Sequence, residues 1–253
     1  MIEERLTGEV IAMRQWSAQE FERRVLDGRP RVAVFDCDGT LWSGDAGSGF
    51  MNWSLAEGLV SPETTGWINA RYSDYLAGQV SEVEICGEMV QMYSGLRDGD
   101  LRSAAARFVR EYIEPRIFGE MAALLANLNE AGVELWAVSS TNKWVVTEGA
   151  RGFGIPEARV IAAEVRVTDG LITRELVDVP TGEGKALALK RIGLAHPDAV
   201  FGNSVHDLAM LELARCPYPV NPSPALIAAA AKNGWGIFCP AAASGLQTAV
   251  GGE

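Results

Sequence analysis

The sequence predicts an α/β fold: a doubly wound parallel sheet covered on both faces by helices, with a small helical domain inserted after the first strand. Three observations carry that prediction. Short, nearly all-apolar runs recur along the 253 residues, as RVAVF (31–35), VELWAV (133–138), ARVIAA (158–163), DAVFG (198–202) and GIFC (236–239). Runs of this kind suit strands buried on both faces. Helical patterns separate most of them, the alternation that builds parallel sheets. Residues 44–118 hold helix-like segments but no buried strand, too long an interval for a simple connection.

The elements follow in order. SAQEFERRVLD (17–27) opens with Ser17 and spaces Phe21, Val25 and Leu26 on one face, so a capped amphipathic helix precedes the first strand. RVAVF is that strand. GFMNWSLAEGL, TTGWINARYSDYLAG, VEICGEMVQMYSGL and DLRSAAARFVREYI then read as helices of the insertion. The expected division is an α/β core of residues 1–43 and 119–253 and a helical cap of residues 44–118. VRVTDGLITREL (165–176) alternates apolar residues around Asp169-Gly170, a hairpin signal.

Composition narrows the function classes. With 48% hydrophobic and 22% charged residues the chain reads as soluble and globular. A net charge of -11 argues against a nucleic-acid partner, which calls for a broad basic surface. A small anionic substrate stays compatible, because a metal ion and a few donors reverse the field locally. Cys37, Cys86, Cys216 and Cys239 are scattered without a C-x-x-C pair, as free thiols in a reducing compartment would be. MIEERLTGEVIAMRQW lacks the basic start and apolar core of a secretory signal. The run ALIAAAA (225–231) falls far short of the roughly 20 residues of a membrane span. The expectation is a cytoplasmic protein with no membrane partner.

Candidate chemistry lies at the strand ends, where a doubly wound sheet places its ligands. DCDGT sets Asp36 and Asp38 just beyond the first strand. They read either as turn residues satisfying their own backbone or as a nucleophile beside a general acid. An EF-hand loop fits poorly, because Gly39 comes too early. Ser139, Ser140 and Thr141 end a strand before a helical pattern, suiting either a phosphate or an ordinary N-cap. Lys185 follows a glycine-rich turn that is not a Walker loop, and such a lysine is commonly surface. GNSVHD (202–207) supplies Asn203 and Asp207, with a capping box from Ser204 to Asp207 as the plainer reading. One bound phosphate and one divalent cation account for all of these groups together.

DCDGT, the strand-end Ser139, Lys185 and GNSVHD, in that order and spacing, resemble the four motifs of the haloacid dehalogenase (HAD) superfamily. The insertion after the first motif, and the hairpin, resemble its phosphoserine phosphatase-like branch. The resemblance implies a Rossmann-like core and a magnesium-dependent phosphatase acting on a small phosphorylated metabolite. In that reading Asp36 attacks phosphorus and forms an aspartyl-phosphate, while Asp38 protonates the leaving oxygen and then activates water. The acid at Asp38 disfavours carbon-halogen cleavage. Thr40, Ser139 and Ser140 would hold phosphoryl oxygens, and Lys185 would neutralise charge. Mg²⁺ would be held by the Asp36 carboxylate, the Asp38 backbone carbonyl and Asn203, where the commonest pattern has Asp; the uncharged Asn203 implies weaker magnesium binding unless Asp207 compensates.

The cap is expected to choose the substrate. Asp45 stands at the spacing where phosphoserine phosphatases hold the substrate's amino group, and it reads equally as a turn residue. The arginine that grips the serine carboxylate has no clear counterpart at 87–89; Arg71 is one substitute. Trp42, Trp53, Trp67, Phe50, Tyr72 and Tyr75 concentrate aromatics that form either cap packing or a cation-π site for phosphocholine or phosphoethanolamine. The alternative function is a catalytically weakened HAD protein that binds a phosphorylated ligand or partner. A phosphomutase fits less well, because nothing in the sequence protects an aspartyl-phosphate from water.

Overall fold

The computed structural model describes residues 14–241, so the N-terminal reading of residues 1–13 lies outside the described residues. Strand β1 (Gln15–Trp16) leads into helix α1 (Ala18–Asp27), where Ser17 and Glu20 close a reciprocal capping box and Phe21 and Val25 are buried. Strand β2 (Val32–Phe35) enters the middle of the molecule. Helices α2 (Ala46–Ala56), α3 (Pro62–Leu76), α4 (Glu82–Gln91) and α5 (Asp98–Phe108) follow without an intervening strand, and α5 runs on through a π turn, Val109–Ile113. Helix α6 (Gly119–Glu130), strand β3 (Glu134–Asn142), helix α7 (Lys143–Arg151) and strands β4 (Val160–Thr168) and β5 (Leu171–Asp178) come next. The chain then forms α8 (Glu183–Arg191), β6 (Ala199–Gly202), α9 (Leu208–Leu211), β7 (Cys216–Pro219), α10 (Pro224–Asn233) and β8 (Ile237–Phe238).

Six strands form one sheet in the order β5-β4-β3-β2-β6-β7. Every pairing in it is parallel except β4 with β5. The β4–β5 hairpin turns through Asp169 (φ 51°) and Gly170 (φ 75°), the positive-φ pair of a two-residue turn. Alternation along β2 sends Ala33 and Phe35 into the core on one face and Val34 into that on the other. Register Phe35↔Phe201↔Tyr218 stacks three rings across β2, β6 and β7, with centroids 4.3 and 4.9 Å apart. Each such pair contributes about 0.5–1.5 kcal/mol beyond burial.

Three strands depart from the sequence reading, beginning with β1, which precedes the helix that the sequence places before the first strand. CPYP forms β7, an element its prolines conceal; as the edge of the sheet it tolerates residues without an N–H. GIFC does not join the six-stranded sheet: β8 pairs in parallel with β1 and makes a single bridge through Phe238 to Val220.

The insertion leaves and re-enters the core through adjacent segments. Trp42 bridges Ile117 antiparallel, Ser43 N–H donates to Arg116 O (2.9 Å), and Phe118 N–H donates to Leu41 O (3.0 Å). The insertion also rests on the hairpin, where Gly95 N–H donates to Ile172 O (2.8 Å) and Ile172 N–H to Leu96 O (2.9 Å). Among the described residues no helix is long and apolar enough to cross a membrane.

Candidate active site

β2 lies between β3 and β6, whose chain connections leave in opposite senses, and the crevice beyond its carboxyl end is where such sheets bind ligands. Asp36 is the first residue past β2 and continues the ladder by donating its N–H to Phe201 O at 2.9 Å. Its buried carboxylate accepts from Lys185 Nζ through Oδ1 (2.7 Å) and from Thr40 Oγ1 through Oδ2 (2.8 Å). Thr40 is fully buried and places its hydroxyl on Asp36. In this structure the hydroxyl orients that carboxylate, beside the place where the sequence reading expects it to meet phosphoryl oxygens.

The turn after Asp36 requires Gly39. Its φ is +74°, and a Cβ there would stand 1.9 Å from Asn203 Nδ2, so the loop and Asn203 are in direct contact. Asp38 accepts three hydrogen bonds from three parts of the chain: Trp42 Nε1 (2.5 Å), the N–H of Ala46 at the start of α2 (3.0 Å), and Thr141 Oγ1 at the end of β3 (2.7 Å). Ser139 is buried beside it and Ser140 lines the same cavity, while Asn142 caps α7.

Lys185, on the first turn of α8, is buried rather than solvated. Its ammonium bridges Asp36 and Asp207, the latter at 2.5 Å. Asp207 Oδ2 accepts from the N–H groups of Asn203 and Ser204, both at 2.9 Å, so the capping box is also present. A Cβ on Gly202 would lie 2.5 Å from the Asp207 Cβ, which explains glycine there. Asp207 thus holds Lys185 and the Asn203 backbone from behind the site.

Burial, then the field of Asp207, pushes the Asp36 carboxyl up to about 7 against the opposing Lys185. Burial and then Asp45 raise Asp38 to about 6. For Lys185 burial alone would lower the pKa, but Asp207 and Asp36 outweigh it and hold the ammonium charged.

These groups open on a cavity of about 240 Å³ roofed by the insertion. Asp45 lines it and also caps α2, its Oδ1 accepting from Ser48 N–H at 3.0 Å. Tyr72 and Tyr75 line it too, with centroids 5.9 Å apart. The other aromatics are packing: Trp42 and Phe50 are fully buried, Trp53 stacks on Phe50, and Trp67 lies under Arg174. Arg71 is clasped by both oxygens of Glu88 at 2.9 Å.

Sequence reasoning missed Glu82 and His206, and no signal links residues so far apart. His206 Nδ1 lies 2.6 Å from Glu82 Oε2, and Thr181 Oγ1 donates to Glu82 Oε1 at 2.9 Å, joining α4 to the sheet domain at the cavity wall. The partnership with Glu82 raises the His206 pKa.

A hard cation takes oxygen ligands. Among the described residues no group of three or more His, Cys, Asp or Glu is placed to hold a metal. The fit therefore rests on the Asp36 carboxylate, the Asn203 amide oxygen and the Asp38 backbone carbonyl. The first two residues line the cavity, Asn203 packs on Gly39 of the turn that follows Asp36, and the oxygen set suits magnesium.

Known proteins resemble this chain in family and in fold. A family model described as haloacid dehalogenase-like hydrolase matches residues 33–212. A histidinol-phosphatase of Neisseria meningitidis serogroup C is 26% identical over 218 residues, covering 82% of this chain and 97% of that protein. A Bordetella pertussis Tohama I protein of unknown function superposes with a TM-score of 0.74 at 23% identity, covering 83% and 98%. A substrate-bound phosphoserine phosphatase superposes with a TM-score of 0.56 at 16% identity, covering 83% and 92%. The two solved structures establish likeness of fold.

Proposed function

Because this chain belongs to the haloacid dehalogenase-like hydrolases, we propose that it is a magnesium-dependent phosphatase cleaving a small phosphomonoester through an aspartyl-phosphate on Asp36. One observation carries the reading. A buried carboxylate, aimed by Thr40 and Lys185, meets the cavity beside a second carboxylate held separately by three donors.

In the first step an Asp36 oxygen attacks phosphorus, the bond from phosphorus to the ester oxygen breaks, and that oxygen takes the Asp38 proton. In the second, Asp38 removes a proton from the attacking water, the bond from phosphorus to Asp36 breaks, and phosphate leaves. A carboxyl near 6 suits both duties. Ser139 and Ser140 hold phosphoryl oxygens, and Lys185 neutralises charge around Asp36. Asp36, the Asp38 carbonyl and Asn203 would hold Mg²⁺, with Asp207 adding charge from behind. When bound, magnesium offsets the negative charge that gathers on the phosphoryl group.

An amine-bearing ester suits Asp45. The candidates are phosphoserine, phosphocholine and phosphoethanolamine, to which the Neisseria relative's name adds histidinol phosphate. Phosphate release from p-nitrophenyl phosphate with magnesium, wild type against Asp36→Asn, tests the reading. Loss of turnover in the variant is expected. Equal rates would favour the alternative of a weakened HAD protein that binds a phosphorylated ligand.

A further inference from the structure

We infer that the cavity selects its ester by the charge of the leaving group, accepting an alcohol that carries a cation and rejecting one that carries a carboxylate. This rests on the phosphatase reading and narrows its substrate class.

The charges around the cavity argue for it. Four carboxyl groups line it, those of Asp36, Asp38, Asp45 and Glu82, and the proton that Asp38 carries when the ester binds leaves three of them charged. Among the lining residues Lys185 is the only lysine or arginine, and its ammonium is already bridged to Asp36 and Asp207. His206 is the other basic group on the wall, and Glu82 stands 2.6 Å from its Nδ1. The nearby cap arginine, Arg71, is held by both oxygens of Glu88. A carboxylate on the leaving group would therefore meet acids without an uncommitted cation, and beside the buried Asp36 and the partly buried Asp38 and Glu82 this repulsion is screened less than in open water, while Asp45 stands exposed.

A cation meets the opposite situation. The Asp45 carboxylate caps α2 through one backbone N–H and, among the described residues, is in no ion pair, while Tyr72 and Tyr75 line the same cavity. The same field is felt by the wall itself: burial, then Glu82 and Asp45, push the Cys86 thiol up to about 12.

Three esters differing by one group at a time decide the matter: ethyl phosphate, phosphoethanolamine, which adds an ammonium, and O-phosphoserine, which adds a carboxylate to that. We expect kcat/KM for phosphoethanolamine to exceed that for phosphoserine by at least about tenfold and that for ethyl phosphate by a smaller factor. Asp45→Asn should bring the phosphoethanolamine to ethyl phosphate ratio toward one. Phosphoserine turned over as well as phosphoethanolamine, or an Asp45→Asn ratio equal to wild type, overturns the inference. Thermal shifts of Asp36→Asn with the three esters give the order of binding independently of turnover. If p-nitrophenyl phosphate is not hydrolysed, the phosphatase reading fails, and the binding order still supports or overturns charge selection.

Discussion

The indole N–H of Trp42 donates to Asp38 Oδ1 at 2.5 Å, from a side chain that is fully buried and whose backbone bridges Ile117 where the chain returns from the insertion. One residue thus fixes the proposed general acid and joins the two crossings between sheet domain and insertion. The N–H of Ala46, at the first turn of α2, donates to the same carboxylate. The position of the acid is tied to the seating of the helices above it.

Trp42→Phe keeps a ring on the side of Phe153 but removes the donor together with part of the buried indole, so its effect on the fold must be separated from its effect on the acid. If Trp42 positions the acid, esters with poor leaving groups suffer most, since a good leaving group departs without a proton. We expect kcat on phosphoethanolamine to fall at least about tenfold, with roughly threefold or less on p-nitrophenyl phosphate. Equal losses on both esters, measured by phosphate release, would show that the substitution acts only on the fold.

Lys185→Met leaves the carboxylates of Asp36 and Asp207 facing each other without a cation, Asp36 almost and Asp207 wholly buried. Breaking a buried pair in this way costs about 3–5 kcal/mol. Urea denaturation followed by circular dichroism should register that loss at neutral pH. It should shrink in acid, where the two carboxyl groups are protonated.

Asp38 gives a pH prediction for the metal-free protein. Its carboxyl is raised from 3.8 to about 6, chiefly by burial. A raised folded-state pKa favours the native state while the group is protonated, and that contribution is lost as pH climbs from about 4 through about 6. In EDTA, Asp38→Asn should therefore melt higher than wild type at pH 8, by on the order of 1 kcal/mol because the group is half-buried, with no difference near pH 3.5. A variant that melts lower at pH 8 contradicts this.

Gly39 and Gly58 form a matched pair. Both have positive φ, +74° and +67°, but only at Gly39 would a Cβ strike Asn203. Alanine at either position should cost about 1–2 kcal/mol of backbone strain. Only Gly39→Ala should raise the magnesium concentration needed for half-maximal activity, because its Cβ would push the Asn203 amide out of place.

Asn203→Asp restores charge to the proposed metal site. Magnesium should then bind at least about tenfold more tightly, since a carboxylate replaces a neutral amide. The metal-free variant should melt lower than wild type, with another negative charge near Asp36 and Asp38, and its melting point should rise more on adding magnesium. Wild-type activity already saturated at low micromolar magnesium would refute the weak-binding expectation behind this test.

Much of the fold was legible because it rests on local patterns. Apolar runs marked β2, β3, β4 and β6; Ser17 and the spacing of Phe21, Val25 and Leu26 marked α1; Asp169-Gly170 marked the hairpin. β7 was not legible, since two prolines in four residues argue against a strand until the sheet places them at its edge. The order of motifs pointed to Asp36, Asp38, Lys185 and Asn203, but not to how they are held. Nothing local separates a surface lysine from one bridging two buried carboxylates.

By itself the sequence determined the alternation of strands and helices, the insertion after β2, and which carboxylates stand at the strand ends, because periodicity and turn chemistry are properties of neighbouring residues. Only the tertiary structure decided that Thr40 aims Asp36, that Trp42, Ala46 and Thr141 converge on Asp38, that most of the aromatics pack the core, and that Glu82 meets His206. Those relationships join residues as much as 124 positions apart, and their strength comes from burial, which a sequence pattern does not carry.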